Sequence, residues 1–377
     1  MKIVIVINRL YDLNGEYVTL GGIQTYLINL CRVINENFSI KPYIYQCANN
    51  EFVVNGSDYI VKGVYKGNGT SDINAVVDSV IKDFDPRETV IIWGSDQYSQ
   101  KIKSFKSINI QHGIGFDTEA MESVLKKLVL KLHLGWLYKF LQRFNARKLV
   151  SNGDTVVCVD YNFNNWIRTY TSSLEDRMKY KVIPNFTKSL PEISKKKSFN
   201  KILVARRFVR RRGISLAVQV AEIVIAEYRD IEFTFAGDGP ELGLVQSLKE
   251  KYPDNVVITK YSQGESLAFH SKYDIALIPS IGSEGTSLSL LEAMGAGCLP
   301  IATNVGGMTN IIIDNYNGYL VEPCVESIVT AIEESIENNG KSNELIYAAW
   351  CTARQGFNVE LWGKKWVAVI NELFHSR

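Results

Sequence analysis

The sequence predicts an α/β protein of two doubly wound domains, each a parallel sheet flanked by helices. The chain has 377 residues, whereas a single hydrophobic core rarely grows past about 250–300. Short uncharged runs rich in Val and Ile alternate with amphipathic stretches, which is the order of strands and helices in parallel sheets. A segment rich in Lys, Ser and Pro, residues 188–200, separates two such series and predicts a solvated linker.

The first domain, residues 1–187, is predicted to begin with a buried strand over Ile3–Ile7, a loop containing Gly21 and Gly22, and a helix. From Ile23 to Ile34 the apolar residues recur at helical spacing. Three more buried strands are predicted at Val90–Trp93, Ile108–Gln111 and Thr155–Val159.

The second domain, residues 201–358, is predicted to contain five strands. They are Lys201–Ala205, Glu232–Phe235, Val256–Thr259, Ile275–Ile278 and Leu299–Ala302. The remaining residues, 359–377, carry a helical apolar stripe over Val359–Phe374 with no strand after it. This last helix could pack on either domain, so the sequence does not decide whether the chain crosses back to the first domain.

Composition excludes several classes of protein. A chain that is 46% hydrophobic and 22% charged is typical of globular proteins and not of disordered ones. The net charge of +2 gives no overall field for binding nucleic acid. The six cysteines contain no C-x-x-C pair, which favours reduced and mostly buried thiols. No run is long enough to cross a membrane or to be a signal peptide, so we expect a soluble cytoplasmic protein.

The most informative stretch is Pro279–Asn310, where a predicted strand ends in a polar loop and a helix begins. Ligands of open α/β sheets bind at the carboxyl ends of strands. Glu284 lies in the loop, and Glu292 lies about one turn inside a helix that starts near Ser287. Free amides at a helix start can hold phosphate. A carboxylate suits a ribose diol, because it only accepts hydrogen bonds.

These residues, EGTSLSLLEAMGAG followed by Gly306-Gly307, resemble the signature of the retaining glycosyltransferases of family 4, which have the GT-B fold. The resemblance implies two Rossmann-like domains with a cleft between them and a nucleotide-sugar donor bound mainly by the second. It places Glu292 on the ribose and Glu284 near the donor sugar. The backbone next to the sugar would be that of Gly285, Thr286, Ser287 and Leu288. Taken alone, two glutamates also fit solvated side chains or the acid and base of a hydrolase.

A second resemblance lies in LVARRFVRRRGISLA, residues 203–217, which is similar to the family's strand followed by Arg and then Lys or Arg before Gly. Matched residue by residue, Arg207 and Arg212 take the two cationic positions. Arg206 then stands where the family has glycine, so the register stays open by one residue. The resemblance implies that these cations stabilise the leaving diphosphate. A solvated loop and a nucleic-acid site are the alternatives, and the near-zero net charge disfavours nucleic acid.

Weaker family-like features agree in their order along the chain. They are Gly21-Gly22, Gln111-His112-Gly113, Val182–Asn185 and Ala236–Pro240. Gly21 and Gly22 allow close approach of the backbone to a diphosphate or acceptor, or form an ordinary tight turn. His112 resembles the family histidine near the donor sugar, and a purely structural histidine is the alternative.

No metal or other cofactor is expected. The four histidines lack metal-ligand spacing. The triplet Asp83-Phe84-Asp85 precedes a predicted strand instead of following one, so it predicts a helix-to-strand turn. The absence of G-x-G-x-x-G after the first strand disfavours a nicotinamide-dependent dehydrogenase.

Residues 136–148 predict a basic amphipathic helix, with Lys139, Arg143 and Arg147 one turn apart beside Phe140 and Phe144. Two interpretations remain open. The aromatic face packs into the first domain, or the helix docks on an anionic membrane surface as a peripheral contact.

The predicted function is therefore metal-independent transfer of a sugar from a nucleotide sugar to a hydroxyl group, with retention of configuration. The acceptor is a glycan or a lipid-linked oligosaccharide presented by the first domain, and nucleic acid is not a partner. The alternatives are a nucleotide-sugar epimerase of similar fold and a glycan-binding subunit without catalysis.

Overall fold

Two units, each built around its own β-sheet, make up the chain. The structure, a computed structural model, describes residues 2–19, 21–65, 73–114, 133–282 and 284–375. One unit comprises Met1–His112, Phe140–Pro184 and Trp362–Arg377, and the other comprises Gly113–Lys139 and Asn185–Leu361. Each unit has an open, largely parallel sheet, which confirms the predicted fold class.

In the described residues, the sheet of the first unit has eight strands. In chain order they are β1 Lys2–Val6, β2 Tyr43–Cys47, β3 Phe52–Asn55, β4 Ile60–Val64, β5 Thr89–Trp93, β6 Lys106–Gln111, β7 Thr155–Cys158 and β8 Tyr180–Val182. Their order across the sheet is β3-β4-β2-β1-β5-β6-β7-β8, and only β3 runs antiparallel to its neighbour. The helices along this part of the chain are α1 Gly22–Phe38, α2 Ile73–Asp83, α3 Gly135–Val150, α4 Tyr161–Arg168 and α5 Leu174–Met178.

The strands predicted in this unit are confirmed to within two residues, because β-branched runs buried on both faces are unambiguous. Strands β2, β3, β4 and β8 were not predicted, and in β2 the polar Gln46 interrupts the apolar run. The structure buries Gln46 completely. Its side-chain oxygen accepts from the amides of Leu10 and Tyr11 at 2.9 and 2.7 Å, so the polar group is satisfied inside the core.

The Asp83–Asp85 triplet forms a turn between α2 and β5, as predicted. Asp83 accepts from the Tyr45 hydroxyl at 2.8 Å and pairs with Lys62 at 2.5 Å. Asp85 pairs with Arg87 at 2.8 Å. Both carboxylates therefore have local structural partners.

The sheet of the second unit has six strands. They are β9 Lys201–Ala205, β10 Glu232–Ala236, β11 Val256–Thr259, β12 Ile275–Ile278, β13 Leu299–Thr303 and β14 Tyr319–Val321. The order across this all-parallel sheet is β11-β10-β9-β12-β13-β14. The remaining helices are α6 Ile214–Glu227, α7 Leu242–Lys251, α8 Ser266–His270, α9 Leu288–Gly295, α10 Val325–Glu337, α11 Asn339–Gly356 and α12 Val359–His375. The five predicted strands are confirmed, and the three-residue β14 is too short for a periodic signal.

Residues 188–200 form neither helix nor strand, yet they are attached to the second unit. Phe199 is buried and Ile193 packs against the same core. The Lys196 amide donates to Asn343 at 2.7 Å, and the Trp350 indole donates to the Leu190 carbonyl at 3.0 Å. Most charged residues of this segment are exposed, whereas the Lys196 side chain donates to the carbonyl of Tyr273 at 2.8 Å and the few apolar residues contribute to the core.

The last helix, α12, contributes two tryptophans to the first unit. Its residues from Trp362 onward are grouped with that unit. The fully buried Trp366 donates its indole N–H to the hydroxyl of Tyr26 at 2.9 Å. The Tyr26 ring also meets Trp362 edge-on at 5.0 Å.

All six cysteines are free, and four of them are buried, as the sequence predicted. Within the described ranges, no helix has both the length and the apolar content needed to cross a membrane.

Each sheet has one point where the strand order reverses, and such points are where open α/β sheets bind ligands. In the first sheet it lies between β1 and β5, and in the second between β9 and β12. The segments that leave β9 and β12 are those that begin with Arg206 and Pro279. The topology thus brings two of the predicted sequence motifs to one edge of the second sheet.

Candidate active site

Three charged side chains meet at this edge of the second sheet. The Nη2 atom of Arg206 donates to Oε1 of Glu284 at 2.6 Å, and Arg212 pairs with Oε2 of the same carboxylate. The side chains of Arg206 and Glu284 are each 4% exposed, and that of Arg212 is 25% exposed. Two cations share one carboxylate, so the cluster keeps an excess positive charge. The buried Nη1 atom of Arg206 has no hydrogen-bond partner.

Burial lowers the pKa of the Arg206 guanidinium and of the Arg212 guanidinium, because the charged form loses hydration. Neighbouring arginines lower the pKa of Arg212 further. An anion bound by the pair would compensate for the lost hydration and reduce the repulsion between the arginines. The net positive charge of the site therefore favours binding of a negatively charged group.

Arg206 is positioned by the segment that follows β10. Its amide donates to the carbonyl of Ala236 at 3.1 Å. A Cβ on Gly237 would lie 1.9 Å from the Arg206 carbonyl oxygen, so only glycine fits there. The family-like turn at Ala236–Pro240 thus supports the backbone of the arginine.

Arg212 ends a short 3-10 turn, Arg210–Arg212, that leads into α6. The turn is closed by Gly213, whose φ of +71° favours glycine. A Cβ at Gly213 would lie 1.7 Å from the carbonyl oxygen of Pro279. Close packing of this turn on the end of β12 brings Arg212 to Glu284.

The loop that carries Glu284 is held from two sides. Gly307 donates its amide to the Glu284 carbonyl at 2.9 Å, and a Cβ on Gly307 would lie 2.5 Å from the carbonyl carbon of Gly285. The side chain of Asn185 donates to the Thr286 carbonyl at 2.5 Å. The Gly306-Gly307 pair and Asn185 therefore fix the backbone on which the carboxylate is mounted.

Glu292 lies one turn inside α9. Ser287 precedes the helix as its N-cap, with its hydroxyl accepting from the Leu290 amide at 3.4 Å. Burial raises the pKa of Glu292 to about 7, and a side-chain hydrogen bond with Ser266 opposes that rise. Burial raises the pKa of the Tyr261 phenol, and the nearby charge of Glu292 raises it further.

Ser266 and Tyr261 were missed by the sequence reasoning. Both follow β11, whose carboxyl end lies at the same edge of the sheet as Arg206. The buried His270 holds Ser266, with Nδ1 donating to the Ser266 carbonyl at 2.8 Å and lying 3.3 Å from its hydroxyl. The position of this loop after a strand was the signal that could have identified them.

Arg207 is placed differently from Arg206. Its side chain is exposed and forms no ion pair with any described residue. Consecutive side chains of extended backbone point to opposite sides, so only one of the two arginines can face Glu284. The structure brings Arg206 there.

The remaining predicted residues lie in the first unit. His112 follows β6, and its Nε2 donates to the Gly94 carbonyl at 2.9 Å. Burial lowers the pKa of His112 to about 4. The ring is therefore neutral near pH 7, and Nδ1 is its acceptor nitrogen. Gly21 and Gly22 are exposed at the start of α1, where no side chain caps the helix.

Comparisons with known proteins agree with this geometry. Residues 185–350 match the family model described as glycosyl transferases group 1. An uncharacterized glycosyltransferase of Methanocaldococcus jannaschii is 28% identical over 185 residues, which cover 48% of each chain. The match thus spans about half the length of that curated relative.

Solved structures show the same fold along the whole chain. Sucrose-phosphate synthase from Thermosynechococcus elongatus has a TM-score of 0.78 at 17% identity, with all of both chains covered. Anabaena HepE, solved in complex with UDP-glucose, has a TM-score of 0.70 at 14% identity and covers 99% of this chain and 100% of its own. The architecture of both units is therefore GT-B-like, and residues 185–350 are similar in sequence to the group 1 glycosyltransferases.

Proposed function

We propose that the protein transfers a sugar from a nucleotide sugar to a hydroxyl group of a glycan or lipid-linked acceptor, with retention of configuration and without a metal ion. The observation that carries this proposal is the pair of guanidiniums, Arg206 and Arg212, that bind Glu284. They lie at the point where the strand order of the second sheet reverses, between β9 and β12. Fixed cations at that point stabilise the charge that grows on a departing diphosphate. No metal is required for that task.

The donor is assigned to the second unit. Glu292 accepts hydrogen bonds from the ribose, and the backbone from Gly285 to Leu288 lies against the sugar together with Glu284. The complexes of Anabaena HepE with UDP and UDP-glucose support uridine nucleotides as the first donors to test. The leaving phosphate oxygen takes the proton of the acceptor hydroxyl, so no protein base is named.

The acceptor is assigned to the first unit, where His112 and the Gly21-Gly22 loop contribute. A neutral His112 offers Nδ1 as an acceptor for a sugar hydroxyl. An epimerase would interconvert the nucleotide sugar without any acceptor, and a glycan-binding subunit would leave it intact. The buried arginine pair favours transferase chemistry over a glycan-binding subunit, because fixed positive charge stabilises a departing diphosphate.

The first expected result is stabilisation of the folded protein by a nucleotide sugar. A ligand present at about 100 times its Kd adds about 2.7 kcal/mol to the free energy of unfolding. Thermal unfolding should be measured with a panel of nucleotide sugars, in buffer with excess EDTA. Uridine serves as the control, since it lacks the diphosphate. If no nucleotide sugar raises the midpoint above the uridine control, the donor proposal is wrong.

The second expected result concerns pH and Glu292. Only the ionised carboxylate can accept from both ribose hydroxyls, and burial raises its pKa to about 7. Affinity for UDP-glucose should therefore fall about tenfold for each pH unit below that value. UDP-glucose is preferable to UDP here, because the terminal phosphate of UDP itself titrates near pH 6.

The variant Glu292→Gln should bind UDP-glucose more weakly than wild type at about pH 8. Its affinity should no longer fall as the pH drops below about 7, because glutamine does not titrate. Calorimetric titrations at several pH values measure this. If the affinity of Glu292→Gln still falls at low pH, another group is titrating and the assignment of Glu292 to the ribose is contradicted.

We also propose that α3 contacts an anionic membrane surface. Trp136, Phe140 and Phe144 share one side of this helix and are 69%, 60% and 60% exposed, whereas Val150 is its one buried residue in the described structure. The Arg147 guanidinium lies 4.2 Å from the ring centre of Tyr170 beside the same surface. Aromatic residues next to cations favour the interface of an anionic bilayer.

Wild-type protein should sediment with vesicles containing phosphatidylglycerol at low salt, and less so at high salt. Replacing Trp136 and Phe140 by serine should abolish sedimentation. The matched control replaces Ile313 and Tyr316, which are equally exposed in the second unit, and should sediment like wild type. Wild-type protein that stays in the supernatant would rule out the membrane contact.

A further inference from the structure

Arginines occupy five of the seven positions from 206 to 212, and the donor site described above uses two of them. The other three, Arg207, Arg210 and Arg211, are exposed. They form no ion pair with any residue in the described part of the chain. These three exposed side chains form a rim of cations without an ion-pair partner among the described residues.

The backbone that carries these arginines is nevertheless fixed. Phe208 is completely buried, and its amide donates to the Asp238 carbonyl at 2.8 Å. The carbonyl of Arg211 accepts from the amide of Ile281 at 3.0 Å. The exposed side chains therefore project from a rigid segment that packs on the loop leading to Glu284, and not from a loose loop.

The positive charge of this segment exceeds what a nucleotide sugar neutralises. Arg207 and Arg211 lie close enough to Arg212 to lower its pKa. Among the acids near the segment, Glu284 pairs with Arg206 and Arg212, and Asp238 pairs with Lys260 at 2.6 Å. Glu241 is tied to the segment through its amide, which donates to the Phe208 carbonyl at 3.0 Å.

A nucleotide sugar brings two negative charges on its diphosphate, one more than the single positive charge left over by Arg206, Arg212 and Glu284. The remaining phosphate charge offsets at most one of the three exposed arginines, so positive charge is left over beside the donor. Guanidiniums bind carboxylates and phosphates through paired hydrogen bonds, so a further anionic group of a substrate would complete the charge balance.

We propose that Arg207 and Arg211 form a second anion-binding site at the rim of the donor site, which recognises a carboxylate or phosphate carried by the donor sugar or by the acceptor. The proposal rests on the proposed function, since it takes the nucleotide sugar to lie against Arg206 and Arg212. It restricts the substrates of the enzyme to acidic ones.

The test uses the double variant Arg207→Gln/Arg211→Gln. The matched control, Arg229→Gln/Lys249→Gln, removes the same charge from exposed residues of the same unit. Arg229 lies three residues before the start of β10, so it is near the amino ends of the strands, whereas the donor site lies at their carboxyl ends. Both variants keep Arg206 and Arg212, and UDP affinity is measured in each.

Three pairs of probes separate the sources of the anion. UDP-glucuronate is compared with UDP-glucose. Trigalacturonate is compared with its methyl ester on UDP-loaded protein, and geranyl diphosphate is compared with geraniol on the same complex. Binding is measured by calorimetry at low and at high salt.

In at least one pair, the acidic probe should bind wild-type protein about tenfold or more tightly than its neutral counterpart. The double variant should lose that preference while binding UDP within about threefold of wild type, and the control should keep it. The pair that shows the preference identifies the source of the anion.

A lack of preference in all three pairs would overturn the proposal, as would an equal loss in the control variant. Wild-type protein that binds no UDP would refute the donor site itself. That outcome is distinguishable, because it precedes every comparison of acidic with neutral probes.

Discussion

Replacing Glu284 by alanine should lower the free energy of unfolding by about 3 kcal/mol or more. The carboxylate is the partner of two guanidiniums, and Arg206 and Glu284 are almost completely buried. Removing it leaves two cations facing each other without a counter-charge, and Arg206 is almost completely shielded from water. Urea denaturation at constant pH measures the loss, and added UDP should restore part of it because its phosphates replace the missing charge.

The control for this experiment is Glu292→Gln. Burial raises the pKa of Glu292 above its ordinary value. The folded state therefore favours the protonated carboxyl, and ionisation of Glu292 costs stability as the pH rises from about 4.5 to about 7. Removing that charge should not lower stability at about pH 8. A Glu284→Ala protein as stable as wild type would contradict the described ion-pair cluster.

Replacing Arg206 by methionine should lower the rate of donor hydrolysis about 100- to 1000-fold. The charge of the leaving diphosphate grows in the transition state, so kcat should fall more than donor affinity. The side chain of Arg206 is buried against Glu284, whereas that of Arg207 is exposed. Arg207→Met should therefore hydrolyse UDP-glucose at nearly the wild-type rate.

Steady-state hydrolysis without acceptor measures both variants, and circular dichroism checks that each is folded. If the rate falls in Arg207→Met and not in Arg206→Met, the arginine at the diphosphate is Arg207, which contradicts the proposal. Partial recovery of Arg206→Ala activity by added guanidinium would support a direct electrostatic role.

The ambiguity between these two arginines shows where sequence reasoning stops. The sequence predicts a strand that ends near Ala205 with cations after it, because buried β-branched runs are clear signals. Which arginine turns inward depends on the alternation of side chains at the strand end. That alternation is fixed by the packing of Gly237 on Arg206, a contact between residues far apart in sequence.

Glu284 and Glu292 could be predicted for a different reason. Their loop and helix follow one another directly in the chain, so the spacing predicts their positions. Their roles at the donor follow from the family resemblance and stay predictions. Ser266 contacts Glu292 only because α8 packs against α9 in the folded unit. A tertiary contact of this kind leaves no local pattern. The buried Gln46 of β2 was missed for the same reason, since its partners lie in another loop.

The exposed face of α3 is a third case. The sequence shows an amphipathic helix whose aromatic side fits either a core or a surface, because hydrophobic periodicity does not say what covers the apolar side. Exposure of Trp136 and Phe140 in the structure favours the surface interpretation. The vesicle experiment decides between a lipid surface and a merely exposed face.

The central claim, sugar transfer with retention from a nucleotide sugar bound at the arginine pair, is tested most directly by proton NMR of the first sugar released. Wild-type protein is incubated with the UDP-α-sugar that stabilises it most, without acceptor and with excess EDTA, and spectra are recorded before the released sugar mutarotates. We expect the α-anomer to appear first, together with UDP, and its release to be lost in Arg206→Met. A β-anomer, an epimerised nucleotide sugar or an intact donor would each contradict the account.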